Sequence, residues 1–360
     1  MKLRFKTLGG SALLAASMMA QDMTPQQFKA ACETSFMNTI TVNTPLKVSN
    51  FSARVNVVTG CRVVFGPNGK FEADSINMGF AGPLVFQGGA KTGAKVVKSL
   101  MEAPSVTFDL TGSDNFVEFA ESTVRATTGN VVINAGEASG LAVSQRFAGR
   151  AQAVIAAGSV LINGARKFDA SLTDTAISGN TGVVISGSSD EMSLTIANSS
   201  LLALSGAISI SSPGRQSTLN HAVGQLRARS GISISFAGSE GQATLQQVTA
   251  NAGLGSMSVI TALGGARPAK SIVLESTITA GGSVSVVASE AGESGEAALE
   301  SSRVTATGAI VVRSGPLGTT NVKLNTLTSA VLTGAYTGPS GSCTAENNTI
   351  AAPAQAMCLP

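Results

Sequence analysis

A glycine followed by alternating apolar residues recurs along most of the chain, and this repeat restricts its fold more than any other feature. Typical segments read GNVVI, GSVLI, GVVIS, GAISI, GISIS, GSVSVV and GAIVV. The repeats begin at Gly60, Gly82, Gly129, Gly158, Gly182, Gly206, Gly231, Gly255, Gly282, Gly308 and Gly334. From Gly129 onward, the starts are 24 to 29 residues apart. Alternation with a period of two indicates strands with one buried side, and this longer period is typical of one coil of a parallel β-helix.

A second alternating stretch precedes many of these glycines, as in STVRA, STITA and SRVTA, so each period holds two or three short strands. The sequence therefore predicts an all-β protein, a right-handed parallel β-helix (β-solenoid) of about 12 coils with capped ends and a short N-terminal helix. A β-sandwich is the alternative, but it requires hairpin turns between its strands. Only Asn68-Gly69 and Asn163-Gly164 offer the usual Asn-Gly turn, and Asp-Gly does not occur.

The N-terminus resembles a secretory signal peptide. Lys2, Arg4 and Lys6 precede a mostly apolar stretch of small residues that ends at Ala20, a suitable cleavage residue. Removing residues 1–20 leaves 21 basic and 21 acidic residues, so a basic surface for nucleic acid is not expected. We expect an exported chain that does not span a membrane after cleavage, found outside the cell or on the outer cell surface, with the periplasm as the alternative.

Four cysteines lie near the two ends of the chain and predict disulfides in an oxidising compartment. Three connectivities are open; we favour the local pairs because an extended rod would separate the ends. The favoured pairs are Cys32 with Cys61, and Cys343 with Cys358. Thr24 begins a helix well, with Pro25 next and Gln27 at the third helical position, and this helix should end near Thr34.

The domain prediction has four parts, and it includes no cofactor. Residues 1–20 form the signal peptide, 21–59 an N-terminal cap with the short helix, 60–334 the β-solenoid, and 335–360 a C-terminal disulfide cap. The segment 91–101 (KTGAKVVKSLM) is interpreted as a short basic helix or loop between coils. His221 is the only histidine and no CxxC occurs, so no metal site is expected.

No catalytic residue is predicted, because the chain lacks a triad, a P-loop, a Rossmann fingerprint and an HExxH motif. His221 is interpreted as a surface or corner residue. A polysaccharide lyase or hydrolase is the alternative, since such enzymes use paired carboxylates. The candidate acids are Asp169, Asp174, Asp190 and Glu191. One tyrosine and no tryptophan argue against sugar-stacking subsites.

Threonines recur at what looks like one step of four consecutive coils and define a candidate binding face. These are Thr249, Thr279, Thr305 and Thr328, with Arg125 and Arg227 at the comparable step of earlier coils. Threonine suits exposed strand positions, which is the simpler explanation. A face for ice or a repetitive polymer is the functional alternative, although Arg303 and Gln247 interrupt a neighbouring column.

The GxVxI-type repeats and the signal peptide resemble bacterial surface and secreted β-helix proteins of the filamentous-haemagglutinin or adhesin kind. The stretch VVFGPNGKFEADSINMGFAGPLVF is similar to the first coils of two-partner-secreted exoproteins, although 66–69 departs from their Asn-Pro-Asn-Gly turn. The resemblance implies a non-catalytic structural or adhesive protein of the bacterial cell surface, such as an appendage or attachment component. Its expected partners are a surface polymer, matrix or other surface proteins, including further copies of itself.

Overall fold

The chain is a parallel β-solenoid of about 13 turns with 65% of its residues in strands, which confirms the predicted fold class with one coil more than expected. The computed structural model describes residues 21–49, 53–144, 154–188, 190–261, 269–289, 294–337 and 340–359. The predicted signal peptide lies outside these residues. The parallel ladder already begins at Gln21, opposite Leu46, and it continues to Leu359, opposite Tyr336. Stacked strands therefore extend into both segments predicted to be caps.

Each coil contributes three short strands, which stack into three long faces. Face A is a 14-stranded sheet. Its strands are β2 (Thr39–Val42), β5 (Cys61–Phe65), β8 (Leu84–Gly88), β11 (Val106–Leu110), β14 (Val131–Ala135), β17 (Ser159–Gly164), β20 (Gly182–Ser186), β22 (Ala207–Ser212), β24 (Gly231–Phe236), β26 (Met257–Thr261), β29 (Val284–Ala288), β32 (Ile310–Ser314), β35 (Leu332–Tyr336) and β38 (Ala354–Leu359).

Faces B and C belong to one 24-stranded sheet that bends once in every coil. Face B comprises β1 (Gln21–Met23), β3 (Leu46–Ser49), β6 (Lys70–Asp74), β9 (Gly93–Val97), β12 (Phe116–Ala120), β15 (Ser139–Ser144), β18 (Lys167–Thr173), β27 (Ala269–Leu274), β30 (Gly295–Glu300), β33 (Thr319–Lys323) and β36 (Ser342–Glu346). Face C comprises β4 (Val55–Val57), β7 (Asn77–Phe80), β10 (Leu100–Ala103), β13 (Thr123–Ala126), β16 (Val154–Ala156), β19 (Ala176–Gly179), β28 (Thr277–Ala280), β31 (Arg303–Ala306), β34 (Thr326–Ser329) and β37 (Thr349–Ala351). Three 13-residue strands run through both faces: β21 (Glu191–Ala203), β23 (Gln216–Ala228) and β25 (Glu240–Ala252).

The core is a narrow stack of inward side chains, because one coil cannot bury its apolar side without a neighbour. Parallel pairing in register places equivalent residues of successive coils about 4.8 Å apart, so alternating apolar positions become continuous columns. One column of face A holds five isoleucines in succession: Ile133, Ile162, Ile185, Ile210 and Ile234. β-branched side chains pack well on such a pleated surface.

The predicted N-terminal helix is present as α1 (Pro25–Thr34) and starts as expected. The Thr24 hydroxyl accepts a hydrogen bond from the Gln27 backbone N–H, while the Gln27 side chain accepts one from the Thr24 N–H. Phe28 on α1 is fully buried, with its ring 5.6 Å from that of Phe71 on face B. Cys32, also on α1, is bonded to Cys61. The helix therefore packs against the first coils and is covalently tied to them.

The corner between faces B and C has a recurring construction. A residue with positive φ turns the chain, as at Asn198 (φ 48°) and Glu275 (φ 48°). The next residue is commonly a buried serine, and its hydroxyl accepts a hydrogen bond from a backbone N–H of the preceding coil. Ser199 accepts from Thr175 at 3.0 Å, and Ser276 accepts from Val248 at 3.1 Å. Each such corner therefore satisfies a buried amide of its neighbour.

The segment 91–101 is not a helix or an inserted loop, and that interpretation is wrong. It forms β9 and the first part of β10, with Val96 and Met101 fully buried. Its lysines at 91, 95 and 98 have a helix-like spacing, but Lys95 faces outward on a strand and Lys98 sits at a corner with φ 47°. The segment forms strands because this buries its alternating apolar residues, and the spacing of its lysines does not determine its secondary structure.

Candidate functional site

Outward side chains form columns along each face, so residues far apart in sequence become neighbours about 4.8 Å apart. Three of the four predicted threonines share one column of face C: Thr279, Thr305 and Thr328 are directly opposite one another in successive coils. Thr249 is opposite Thr277 instead and lies in the adjacent column. Thr249 and Thr277 each lie two residues after a corner residue with positive φ, Gln247 and Glu275, and the position of Thr279 is filled by Asn251 in the preceding coil.

The arginines predicted at the same step do lie in the column of Thr279. Arg227 is opposite Asn251, which is opposite Thr279, and Arg125 occupies an earlier position of the same column. Thr277, Arg303 and Thr326 follow one another in the neighbouring column. The paired columns therefore combine threonines with a guanidinium group, and a uniform threonine lattice does not form.

The four candidate acids are distributed over β18, the corner after it and the start of the next coil. Asp169 and Asp174 lie five residues apart on and just after β18, a separation of about 17 Å along an extended strand. The Asp174 carboxylate accepts a hydrogen bond from the Asn198 side chain at 2.6 Å. Asp190 pairs with Arg166 at 3.3 Å, and Glu191 pairs with Lys167 at 3.3 Å. The carboxylates of Asp174, Asp190 and Glu191 therefore serve separate structural contacts.

His221 is buried in the core and is not a surface or corner residue. It occupies the inward column of face B between Ile196 and Leu245, with 1% of its surface exposed. Neither ring nitrogen has a well-aligned hydrogen-bond partner. Burial lowers the pKa of His221 to about 4, partly opposed by the nearby backbone of Ser199. A Cβ on Gly224 would lie 2.6 Å from Nε2, so the imidazole takes the space that the corner serine Ser199 fills in the preceding coil.

Face A presents a long surface with little charge. In the nine strands from β8 to β29, Asp109 is the only charged residue. One outward column is a hydrogen-bonded ladder, in which Asn134 donates to Asp109 at 3.2 Å and Asn163 donates to Asn134 at 2.9 Å. The adjacent column carries four partly exposed aliphatic side chains and one threonine in early coils and serines in later ones. Its members are Val85, Thr107, Val132, Leu161, Val184, Ser209, Ser233, Ser258 and Ser285.

Face B carries a trough that the sequence reasoning missed. Phe116 lies in an outward column between Gly93 and Gly140, and it separates two surface concavities of about 470 and 510 Å³. The ring lies over Gly93, where a Cβ would fall 2.1 Å from its Cε1 atom. Beyond Phe116 the floor at Gly140 is open, since a Cβ there would meet nothing nearer than the Asp169 carbonyl oxygen at 3.8 Å.

The polar walls of the trough come from two further coils and a parallel column. Asp169 and Ser193 continue the column of Phe116, while Glu118, Ser171 and Thr195 belong to the column beside it. All of these residues line the larger concavity. On the other side of the ring, Lys70 places its Nζ 5.8 Å from the ring centroid. The only sequence signal was a phenylalanine whose equivalents in adjacent coils are glycines, and reading it requires the register.

Both favoured cysteine pairs lie at disulfide distance, Cys32 with Cys61 and Cys343 with Cys358, each with a Cα–Cα distance of 5.3 Å. Within the described ranges, no group of three or more histidine, cysteine, aspartate or glutamate residues could hold a metal ion. No helix there is long and apolar enough to cross a membrane.

Comparisons with known proteins identify no relative of this chain: no family model, no curated protein and no solved structure matches it.

Proposed function

We propose that this chain is an exported, non-catalytic rod that works as a structural or adhesive component of the bacterial cell surface. The main support is face A, which is weakly charged over nine coils and places short polar or aliphatic side chains in columns at the rung spacing, including a hydrogen-bonded ladder of Asp109, Asn134 and Asn163. A repetitive polymer or a second β-rich surface could meet such a face at many equivalent positions, and weak contacts add up when they act together.

The predicted signal peptide and the two cysteine pairs favour an oxidising compartment, because structural disulfides persist there and are rare in the cytosol. A rod that makes contacts through short polar and aliphatic side chains needs few charged residues, and the charged content of this chain is 12%. Its partners would be a surface polymer, matrix or other surface proteins.

Two measurements test this role. Antibodies against the purified chain should label unpermeabilised producing cells, and the purified chain should bind those cells or their extracellular polymer in a sedimentation assay. Release of reducing ends or unsaturated products from a panel of extracellular glycans would favour the enzyme alternative and overturn the proposal, as would labelling confined to the cytoplasm.

A further inference from the structure

We propose that the trough around Phe116 on face B binds a linear, neutral polysaccharide, with one sugar ring stacked on the phenyl ring. This inference rests on the adhesive role proposed above and names the class of ligand. It comes from three features that meet at one place: a partly exposed aromatic platform, a glycine floor beside it, and hydroxyl and carboxylate groups along the walls.

The aromatic platform is unusual within this molecule. The other phenylalanines of the solenoid strands in the described ranges are buried: Phe65, Phe71, Phe80, Phe86, Phe108, Phe119, Phe168 and Phe236. Phe116 points outward, and Gly93 lets its ring lie over the neighbouring strand. Leaving an aromatic ring partly in water forgoes the gain from burial. Such a ring offers an apolar surface to the C–H groups of a sugar.

The trough walls match the hydroxyl groups of a sugar. Ser171, Ser193 and Thr195 can each donate and accept a hydrogen bond, while the carboxylates of Asp169 and Glu118 accept from sugar hydroxyls. The carboxylate of Asp169 disfavours a polyanion beyond the ring, because like charges brought together cost free energy, while the charge of Glu118 is balanced by Lys95 at 3.2 Å. The chemistry of the walls therefore favours a neutral chain over a uronate or sulfated one.

The direction of the trough favours a chain over a single sugar. The column from Lys70 through Phe116 to Ser193 crosses six coils along the rod axis. Its rung spacing of about 4.8 Å is close to the length of one sugar unit in an extended polysaccharide. Successive sugars would thus meet equivalent positions on successive coils, with Phe116 fixing the register.

Phe116→Ala tests the platform directly. The probes are cellohexaose, xylohexaose, mannohexaose and chitohexaose, with binding to the full chain measured by isothermal titration calorimetry. We expect at least one hexasaccharide to bind and its Kd to rise about tenfold in the variant. Phe36→Ala is the matched control, because Phe36 is 83% exposed in the segment between α1 and β2, and it should leave the Kd unchanged.

Gly140→Val tests the floor without disturbing the fold. The site has room for a Cβ, valine suits a strand, and the side chain would project into the trough beside Phe116. We expect binding to be lost while the urea midpoint of unfolding stays that of the parent. The inference is overturned if none of the four hexasaccharides binds, or if both variants bind like the parent protein.

The two proposals fail in distinguishable ways. If the parent chain adheres to producing cells and both trough variants adhere equally well, another face carries adhesion and only the trough assignment falls. If the parent chain adheres to neither cells nor their polymer, the adhesive role falls as well.

Discussion

His221 places a titratable ring where every neighbour in its column is aliphatic, including Ile196 and Leu245. Its pKa in the folded chain is about 4, below the ordinary value of 6.5. Between these two values the unfolded chain binds a proton at this residue and the folded chain does not. Stability is therefore lost as the pH falls from 6.5 to 4, by roughly 3 kcal/mol from this group.

We expect His221→Leu to remove this part of the pH dependence. The leucine matches its column neighbours and has no proton to bind, so the free energy of unfolding should fall less steeply between pH 6.5 and 4 than in the parent. Urea denaturation of both proteins across this pH range gives the difference between their free energies of unfolding. The contributions of the carboxylates, which both proteins share, cancel in this difference. Equal slopes would contradict the buried, uncharged state of His221.

At this scale the sequence predicted what depends on a single residue and its near neighbours. The helix start at Thr24 follows from local chemistry, the pairing of Cys32 with Cys61 follows from the distance between the two ends of a rod, and the structure has both. The burial of His221 was missed, because only the alignment of its coil with the next one reveals which side of the strand faces the core.

Opposite charges are paired across coils on face B, and the pairs follow one rule. A lysine stands directly opposite a glutamate of the next coil in several places, as Lys47 with Glu72 at 3.0 Å and Lys95 with Glu118 at 3.2 Å. Lys95 is also opposite Glu72 of the preceding coil. The column thus alternates in sign, and a slip by one coil would place like charges together.

Lys95→Glu should place three glutamates in succession, at 72, 95 and 118. Because these side chains are more than a third exposed, we expect a loss of only about 1 kcal/mol in the free energy of unfolding. Lys95→Met keeps most of the stem without the charge and should cost less. Urea denaturation at low salt and in 1 M sodium chloride checks this. If the difference in free energy of unfolding between the two variants does not decrease in high salt, its origin is not electrostatic.

The corner hydroxyls between faces B and C should carry more stability than exposed serines. Ser276→Ala leaves the buried Val248 N–H without its acceptor, and we expect a cost of about 1–3 kcal/mol. Ser285→Ala on the outside of face A is the matched control, for which a change within about 0.5 kcal/mol is expected. Urea midpoints of the two variants give the comparison. Equal effects would mean that the corner hydrogen bond contributes little.

The strands themselves were readable from the sequence where outward and inward residues alternate cleanly, as in GISIS and GVVIS. The column position of Thr249 and the trough could not be predicted, because both depend on the number of residues between successive corners, which sets the register of each coil. Gly334 shows the same limit: it looked like a corner residue before a strand, yet it lies within β35, opposite Val311.

The whole molecule is a one-dimensional stack, in which each coil touches mainly the coils next to it. A local change should therefore weaken a local part of the rod. Replacing Cys32 and Cys61 by serine should reduce amide-exchange protection in α1 and the first coils, while protection beyond residue 130 or so stays as in the parent. The loss should be on the order of 3 kcal/mol for a loop of this length.

The second cysteine pair offers the mirror experiment. Replacing Cys343 and Cys358 by serine should reduce amide-exchange protection only in the last coils, since this disulfide joins residues 15 positions apart within them. Hydrogen–deuterium exchange read by mass spectrometry on both variants locates the effects. A uniform loss along the chain in either variant would show that the rod unfolds as one cooperative unit.

The corner serines also govern how such a chain can change its length. Where a corner serine is present, its hydroxyl accepts from an amide of the adjacent coil, so removing part of a coil leaves that donor without its acceptor, whereas removing a whole coil between two serine corners brings the next hydroxyl to the same amide. The length of the rod therefore changes in steps of one coil, about 4.8 Å each. Insertions and deletions that preserve the fold should therefore comprise whole coils, which changes the length of the rod without changing its interior.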